Sequence, residues 1–215
     1  MPTLEELASR LLEHFESKDA AREESLRMAR VVIRSSSRAI RSVHRGEIDR
    51  AREHISRGRA ALAGIDTLLE EHQDVRYAGY VDDAEREIAE AQILLHIVTE
   101  HQTPSPEEVG VDLVNYLAGL GDVTGELRRH ILDLIGAGQP EKAECFLETM
   151  EEIFHLLMLF DYPDAVTRGL RRKSDLARSM MERTRGDLAN ALGRNKLENR
   201  LKQVEDKLKD PDLRV

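Results

Sequence analysis

Apolar positions recur every three or four residues through most of this chain, and nowhere do they alternate with polar ones over the length of a strand. Leu4, Leu7, Leu11 and Phe15 share one face of a helix over residues 3–17, with Thr3 placed to cap it and Glu6 three residues on. Asp19 suits the cap of a second helix over residues 20–45, where Leu26, Ala29, Ile33, Ile40 and Val43 keep the same spacing. Gly46 closes that helix. Further helices are predicted over 47–71, 82–101, 106–135, 141–160 and 164–192. The breaks between them are legible as Thr103-Pro-Ser-Pro106, as the Gly136 to Pro140 run, and as Pro163. Kinks are expected at Gly110 and at Gly119–Gly121, and an interruption at Gly193. Beyond it, Leu197, Leu201, Val204 and Leu208 make a narrow stripe on a charged segment. The pattern predicts an all-α protein, with one domain of about seven helices over residues 1–193 and a helical extension or tail over 194–215.

Composition sharpens this. With 34% charged residues, only 4% aromatics and no Trp, the chain has the make-up of a helical protein. Its net charge of −9 does not recruit nucleic acid on average, so a polyanion would need a local basic surface. Cys145 is the one cysteine, which excludes an intrachain disulfide and fits a reducing cytoplasm. The first residues lack the basic start and apolar run of a secretory signal, and no apolar stretch approaches a membrane span.

A local basic surface is present in the second helix. Arg27, Arg30, Arg34, Arg38, Arg41 and Arg45 follow one another at spacings of 3, 4, 4, 3 and 4. At about 100° per residue they fall within an arc of roughly 80° along a rod about 27 Å long. Like charges one turn apart repel. Such a row is either a solvated face matched by acids of a neighbouring helix or a surface that tracks phosphates, whose geometry guanidinium forks fit.

Two pairs of carboxylates are the other candidate chemistry. Glu87 and Glu90 lie three apart on an apolar helix, and Asp122 and Glu126 lie four apart on another. Two such helices packed face to face would gather four carboxylates. Bare carboxylates so gathered would repel one another and take up protons, and a divalent cation removes that cost. All-oxygen ligands favour Mg²⁺ or Mn²⁺, and either ion suits phosphodiester hydrolysis. With 41 acidic residues in the chain such spacings arise freely, and a solvated face is the ordinary reading. Two details point to a site. Glu90 sits between Ile88, Ala91 and Leu94, and Asp122 among Leu117, Leu120 and Val123, with Gly119, Gly121 and Gly125 permitting close helix approach.

At these residues the chain resembles the translin family, and within it the TRAX (translin-associated factor X) branch, in a prokaryotic or archaeal form. The run from Val114 through Tyr116 and Asp122 to Leu127 resembles that branch's DYLLGVADLTGEL stretch. The run from Ile88 through Glu90 and His96 to Ile97 resembles its YIEAVSFQHFI, with Glu87 matching the acid just before it. The basic residues of the family's VKLSRDI fall on Arg27 and Arg30, and its HR on His44 and Arg45. The resemblance implies an all-helical subunit that assembles into a hollow oligomer, an octamer in the family, and hydrolyses RNA with Mg²⁺. It carries the metal carboxylates onto Glu87, Glu90, Asp122 and Glu126. It makes RNA the partner, or single-stranded DNA, and leaves open whether the chain assembles alone or with a translin-like second subunit.

Together these readings describe a Mg²⁺-dependent endoribonuclease without strong sequence preference. The arginine row would hold the RNA backbone, and the four carboxylates would hold the metal, or three would hold it and one orient the water. His96, about 120° from Glu90 around its helix, is read as packing. Arg128 and Arg129 are read either as phosphate ligands or as surface charge. The main alternative is a nucleic-acid-binding ring without catalysis. A di-iron bundle is a further rival, but it calls for two Glu-x-x-His motifs, and Glu152 with His155 supplies one. A purely structural oligomer would leave the arginine row unexplained.

Overall fold

The computed structural model of the chain describes residues 3–209. Among them are nine α-helices and no strand. The helices are α1 (Leu4–His44), α2 (Ile48–Leu68), α3 (Gln73–Arg76), α4 (Tyr80–Glu100), α5 (Pro106–Val109), α6 (Leu113–Gly136), α7 (Glu144–Met158), α8 (Asp164–Thr167) and α9 (Leu170–Lys209), with a 3-10 turn at Pro140–Ala143. The all-α expectation holds, and the long helices match the expected segments. The boundaries differ in instructive ways. Thr3 and Glu6 form the expected capping box, Thr3 N–H donating to Glu6 Oε2 at 2.8 Å. The two helices expected over 3–45 are one, because neither Gly nor Pro stands between Leu4 and His44 and Asp19 continues the helix instead of capping a new one. Ser105 forms a second capping box with Glu108, but Gly110, at φ 73°, ends α5 after one turn. Gly119, Gly121 and Gly193 leave their helices unbroken. Arg168 and Gly169, at φ 47° and 85°, separate α8 from α9.

The chain divides into two compact units, Met1–Leu120 and Gly121–Val215, and the division falls inside α6. In the first unit α1 lies along α2 and α4. Its buried face mixes Val32, Ile40 and Val43 with many small residues, among them Ser25, Ala29, Ser36 and Ala39, which allow close approach. Gly58 of α2 completes that fit: a Cβ there would stand 2.7 Å from Ile88 Cδ1. The first turns of α1 are different. Leu4, Leu7, Leu11 and Phe15 do share a face, but all four are exposed.

A buried polar knot fixes the start of α4 and of α6. Glu85, its side chain 4% exposed, pairs with Arg76 and accepts hydrogen bonds from Asn115 Nδ2 at 2.6 Å and from the Asp112 N–H at 3.2 Å. Asn115 also donates to Asp82 at 3.0 Å, and Arg76 reaches Asp66 at 2.9 Å.

In the second unit α7 packs on α9. Val123, Leu127, Ile131, Met150, Leu157 and Leu188 are buried. Arg128 donates to Thr184 at 3.0 Å and pairs with Asp187 at 2.9 Å, so it is a tie between α6 and α9. Leu197, Leu201 and Val204 are exposed, while the Leu208 side chain and residues 210–215 of the expected tail lie outside the described residues. Among the described residues no helix is long and apolar enough to cross a membrane.

Removing one partner of a buried, hydrogen-bonded ion pair is costly because the other charge is left behind. Glu85→Ala is therefore expected to destabilise the protein by about 3–5 kcal/mol in urea unfolding.

Candidate functional site

The arginine row is laid out as its spacing requires. Arg27, Arg30, Arg34, Arg38, Arg41 and Arg45 are all exposed, on the side of α1 away from its buried Ala and Ser face. Arg27 is engaged by Glu24, and the hydrogen bond between them holds the Glu24 carboxyl below its usual range. Among the described residues, no acid stands within ion-pair distance of the other five. Arg34 Nε donates to the Arg30 carbonyl at 3.1 Å. Arg38, Arg41 and Arg45 face Arg50 and His54 of α2 across a cavity of about 330 Å³ that Glu47 and Glu53 also line. Among the described residues, no acid of a neighbouring helix pairs with these five arginines, although Glu53 of α2 lines the same cavity.

The two acid pairs each occupy one helix. On α4, Glu90 is 9% exposed and Glu87 is half-buried, 3.2 Å from Arg86. On α6, Asp122 and Glu126 are half-buried. Asp122 is paired with Lys173 of α9, and Glu126 lies 4.0 Å from Arg129. Arg129 is exposed, in keeping with surface charge.

Glycine controls the approach of the helices that carry these acids. A Cβ on Gly119 would stand 2.8 Å from Ala89 Cβ, 3.1 Å from the Glu90 nitrogen and 3.3 Å from the Arg86 carbonyl oxygen. Within the first unit, then, α6 touches the α4 backbone at the turn that bears Glu90. In the second unit a Cβ on Gly121 would stand 2.8 Å from Lys173 Cβ. Gly125 does not share this role, since nothing lies within 4 Å of the place its Cβ would take.

By chemistry alone, an all-oxygen donor set is of the kind that a hard divalent ion takes. Mg²⁺ is commonly held by one or two carboxylates, with water and substrate phosphate completing its shell, and each helix presents two carboxylates one turn apart. Among the described residues no group of three or more His, Cys, Asp or Glu gathers as a metal cage. His96 is half-buried beside a cavity of about 380 Å³ lined also by Arg52, Arg59 and Gln92, and its Nδ1 lies 3.9 Å from Glu100. Glu152 and His155 are exposed on α7, unlike the inward ligands of a di-iron bundle. Lys173 is the residue the sequence did not single out. It ends a run of three cations, Arg171, Arg172 and Lys173, and nothing in that run tells which one turns inward.

No family model matches the chain. It is 30% identical over 197 residues to an uncharacterized protein of Methanocaldococcus jannaschii, MJ0175, covering 91% of this chain and 87% of that one. Among solved structures it is similar to AfC3PO in complex with duplex RNA, with a TM-score of 0.77 and 32% identity over 87% of this chain and 95% of that one. A second structure of AfC3PO is similar at a TM-score of 0.76 and 33% identity, over 87% and 96% of the two chains. The structure of apo-NeC3PO, at 23% identity, a TM-score of 0.72 and coverage of 89% and 98%, shares the fold. The fold is thus that of the helical C3PO proteins. The chain belongs to the translin/TRAX-type C3PO family.

The glycine contacts make a paired prediction. Gly119→Ala overpacks against the Glu90 backbone and is expected to cost about 1–3 kcal/mol in urea unfolding. Gly125→Ala meets open space and is expected to be neutral, or to stabilise by up to about 1 kcal/mol through helix propensity.

Proposed function

We propose that this chain is a Mg²⁺-dependent endoribonuclease that cuts RNA held along the arginine row of α1, without strong sequence preference. The observation that carries the nuclease reading is the placing of the acid pairs. Glu90 lies nearly buried on an apolar helix, three residues from Glu87, where α6 is set against the α4 backbone, and Asp122 and Glu126 stand one turn apart on α6. The observation that carries RNA is the exposed row of guanidinium groups, five of them without an ion-paired acid among the described residues, in a chain similar to a protein solved with duplex RNA. Few aromatics stand ready to stack on bases, so recognition rests on phosphates and duplex shape.

Glu87, Glu90, Asp122 and Glu126 would hold the ion, or three of them hold it and the fourth accepts a proton from the attacking water. Bound Mg²⁺ or Mn²⁺ supplies a water of lowered pKa and polarises a phosphoryl oxygen. The arginines would hold the strand by its phosphates, and the carboxylate site would cut it. The assembly that fits the family is a hollow homo-oligomer, an octamer, with the arginine faces lining its cavity. A translin-like second subunit is the variant of that assembly. A single cysteine suits the cytoplasm.

One observation favours a second reading, a nucleic-acid-binding ring without catalysis. Asp122 is answered by Lys173, and a carboxylate already neutralised needs no metal.

Cleavage of an end-labelled RNA by the full chain separates the two. The nuclease reading expects cutting with Mg²⁺ or Mn²⁺, none with EDTA, and a loss of about 100-fold or more in Asp122→Asn and Glu126→Gln variants of unchanged oligomer size. Tight binding without cutting under either metal would favour the ring. The arginine row has its own readout. For a duplex, replacing Arg34 and Arg38 with Gln is expected to lower the slope of log affinity against log salt by about 0.9 for each phosphate that is no longer neutralised.

A further inference from the structure

The pairing of Lys173 with Asp122 is built with more care than a chance surface contact. Lys173 lies in the first turn of α9, and its aliphatic stem runs along α6 over Gly121. A Cβ on Gly121 would stand 2.8 Å from Lys173 Cβ, 3.4 Å from Cγ and 3.5 Å from Cδ. Any other residue there would lift the stem and draw the ammonium off the carboxylate. Both side chains are mostly covered, Lys173 at 26% exposure and Asp122 at 20%. Arg171 and Arg172, next to it in sequence, point to solvent.

Two roles are open to such a pair. The first is a tie between helices. That role is already filled in this unit: Leu170, Ser174 and Ala177 are buried on α9, and Arg128 joins α6 to α9 through Thr184 and Asp187. The second role follows from the oxygen that the ammonium contacts. Asp122 Oδ1 cannot give the same lone pairs to an ammonium and to a divalent ion, and the fixed positive charge beside it repels that ion. A lysine suits a displaceable cation, being a compact charge on a flexible stem that gives up one hydrated position for another.

We infer that Lys173 is the resident counter-cation of Asp122, displaced when a divalent ion binds, and that it thereby sets the metal affinity of the carboxylate site. The inference rests on the metal reading of Asp122 given above. Until a divalent ion arrives Lys173 answers the carboxylate, so the acid face of α6 stays folded with little bound metal. Metal binding releases the ammonium toward the solvent edge of the site. Lys173 is a positioning residue in this account, acting through Asp122.

The test is calorimetric titration of the full chain with Mn²⁺ alone, without RNA. Lys173→Met keeps a stem over Gly121 and removes the charge, and it is expected to bind Mn²⁺ about fivefold more tightly than the wild type, the worth of a partly exposed ion pair. Lys173→Arg keeps the charge and is expected to restore the weaker affinity. Lys173→Gln serves as a second neutral variant should the Met variant lose its oligomer size. Asp122→Asn is expected to abolish or strongly weaken binding. If both neutral variants bind Mn²⁺ no more tightly than wild type while Asp122→Asn abolishes binding, the metal reading stands and the role given to Lys173 is overturned. If neither the wild type nor the neutral variants bind Mn²⁺, the metal reading falls and the inference falls with it. A wild type that does not bind beside neutral variants that do would support the inference outright.

Discussion

Backbone-close packing is the constraint on which the first unit depends. α1 meets its neighbours through Ser25, Ala29, Ser36 and Ala39, α2 meets α4 at Gly58, and α6 meets α4 at Gly119 over the Glu90 nitrogen. Such contacts gain little from the size of each side chain and much from the density of van der Waals contact. They tolerate few substitutions, because a single methyl has nowhere to go. They also dictate orientation. With the Ala and Ser face of α1 turned inward, the arginines at the intervening positions are turned outward. The same economy sets the turn of α4 that bears Glu90 against another helix and not against solvent.

Charge is the second organising quantity, and the average conceals it. The protein carries a net −9, yet it exposes a straight row of guanidinium groups with little acid near it. Acids are meanwhile drawn toward cations elsewhere: Glu85 to Arg76, Asp122 to Lys173, Glu151 to Arg185 and Asp74 to Lys18. These pairs differ in kind. Glu85 sits in a buried knot with hydrogen bonds to both of its oxygens, which suits structure. Asp122 and Glu126 are half-buried beside Lys173 and Arg129, long side chains that can swing away, which suits a site that a divalent ion and a phosphate can enter. In the function proposed here, a basic rod for the backbone and an acidic pair for a metal would be complementary demands, since RNA would bring the negative charge that the rod answers and the phosphoryl oxygen that a metal polarises.

Much of this was legible in the sequence because helical periodicity is a local property. The long helices, the Thr3 capping box, the arc of arginines and the acid spacing all depend on residues within a few turns of one another. The departures have physical causes. Asp19 had the chemistry of a cap, but a helix without Gly or Pro runs on through it. Gly110 and the Arg168–Gly169 step ended short helices that periodicity alone extended. Of three glycines expected to admit a neighbouring helix, Gly119 and Gly121 do so and Gly125 does not, since periodicity does not tell which side of α6 is covered. Lys173 was invisible for a stronger reason. Its partner stands fifty-one residues away in sequence, and Arg171 and Arg172 offered the same charge.

The most direct test of the account is a crystal of the full chain grown with Mn²⁺ and a short RNA that resists hydrolysis, examined at the manganese absorption edge. The account predicts a single anomalous peak bonded by carboxylate oxygens of both acid pairs, Glu87 and Glu90 with Asp122 and Glu126, and RNA phosphates along Arg30 to Arg45. A peak held by other residues, or RNA bound away from the arginine row, would contradict it.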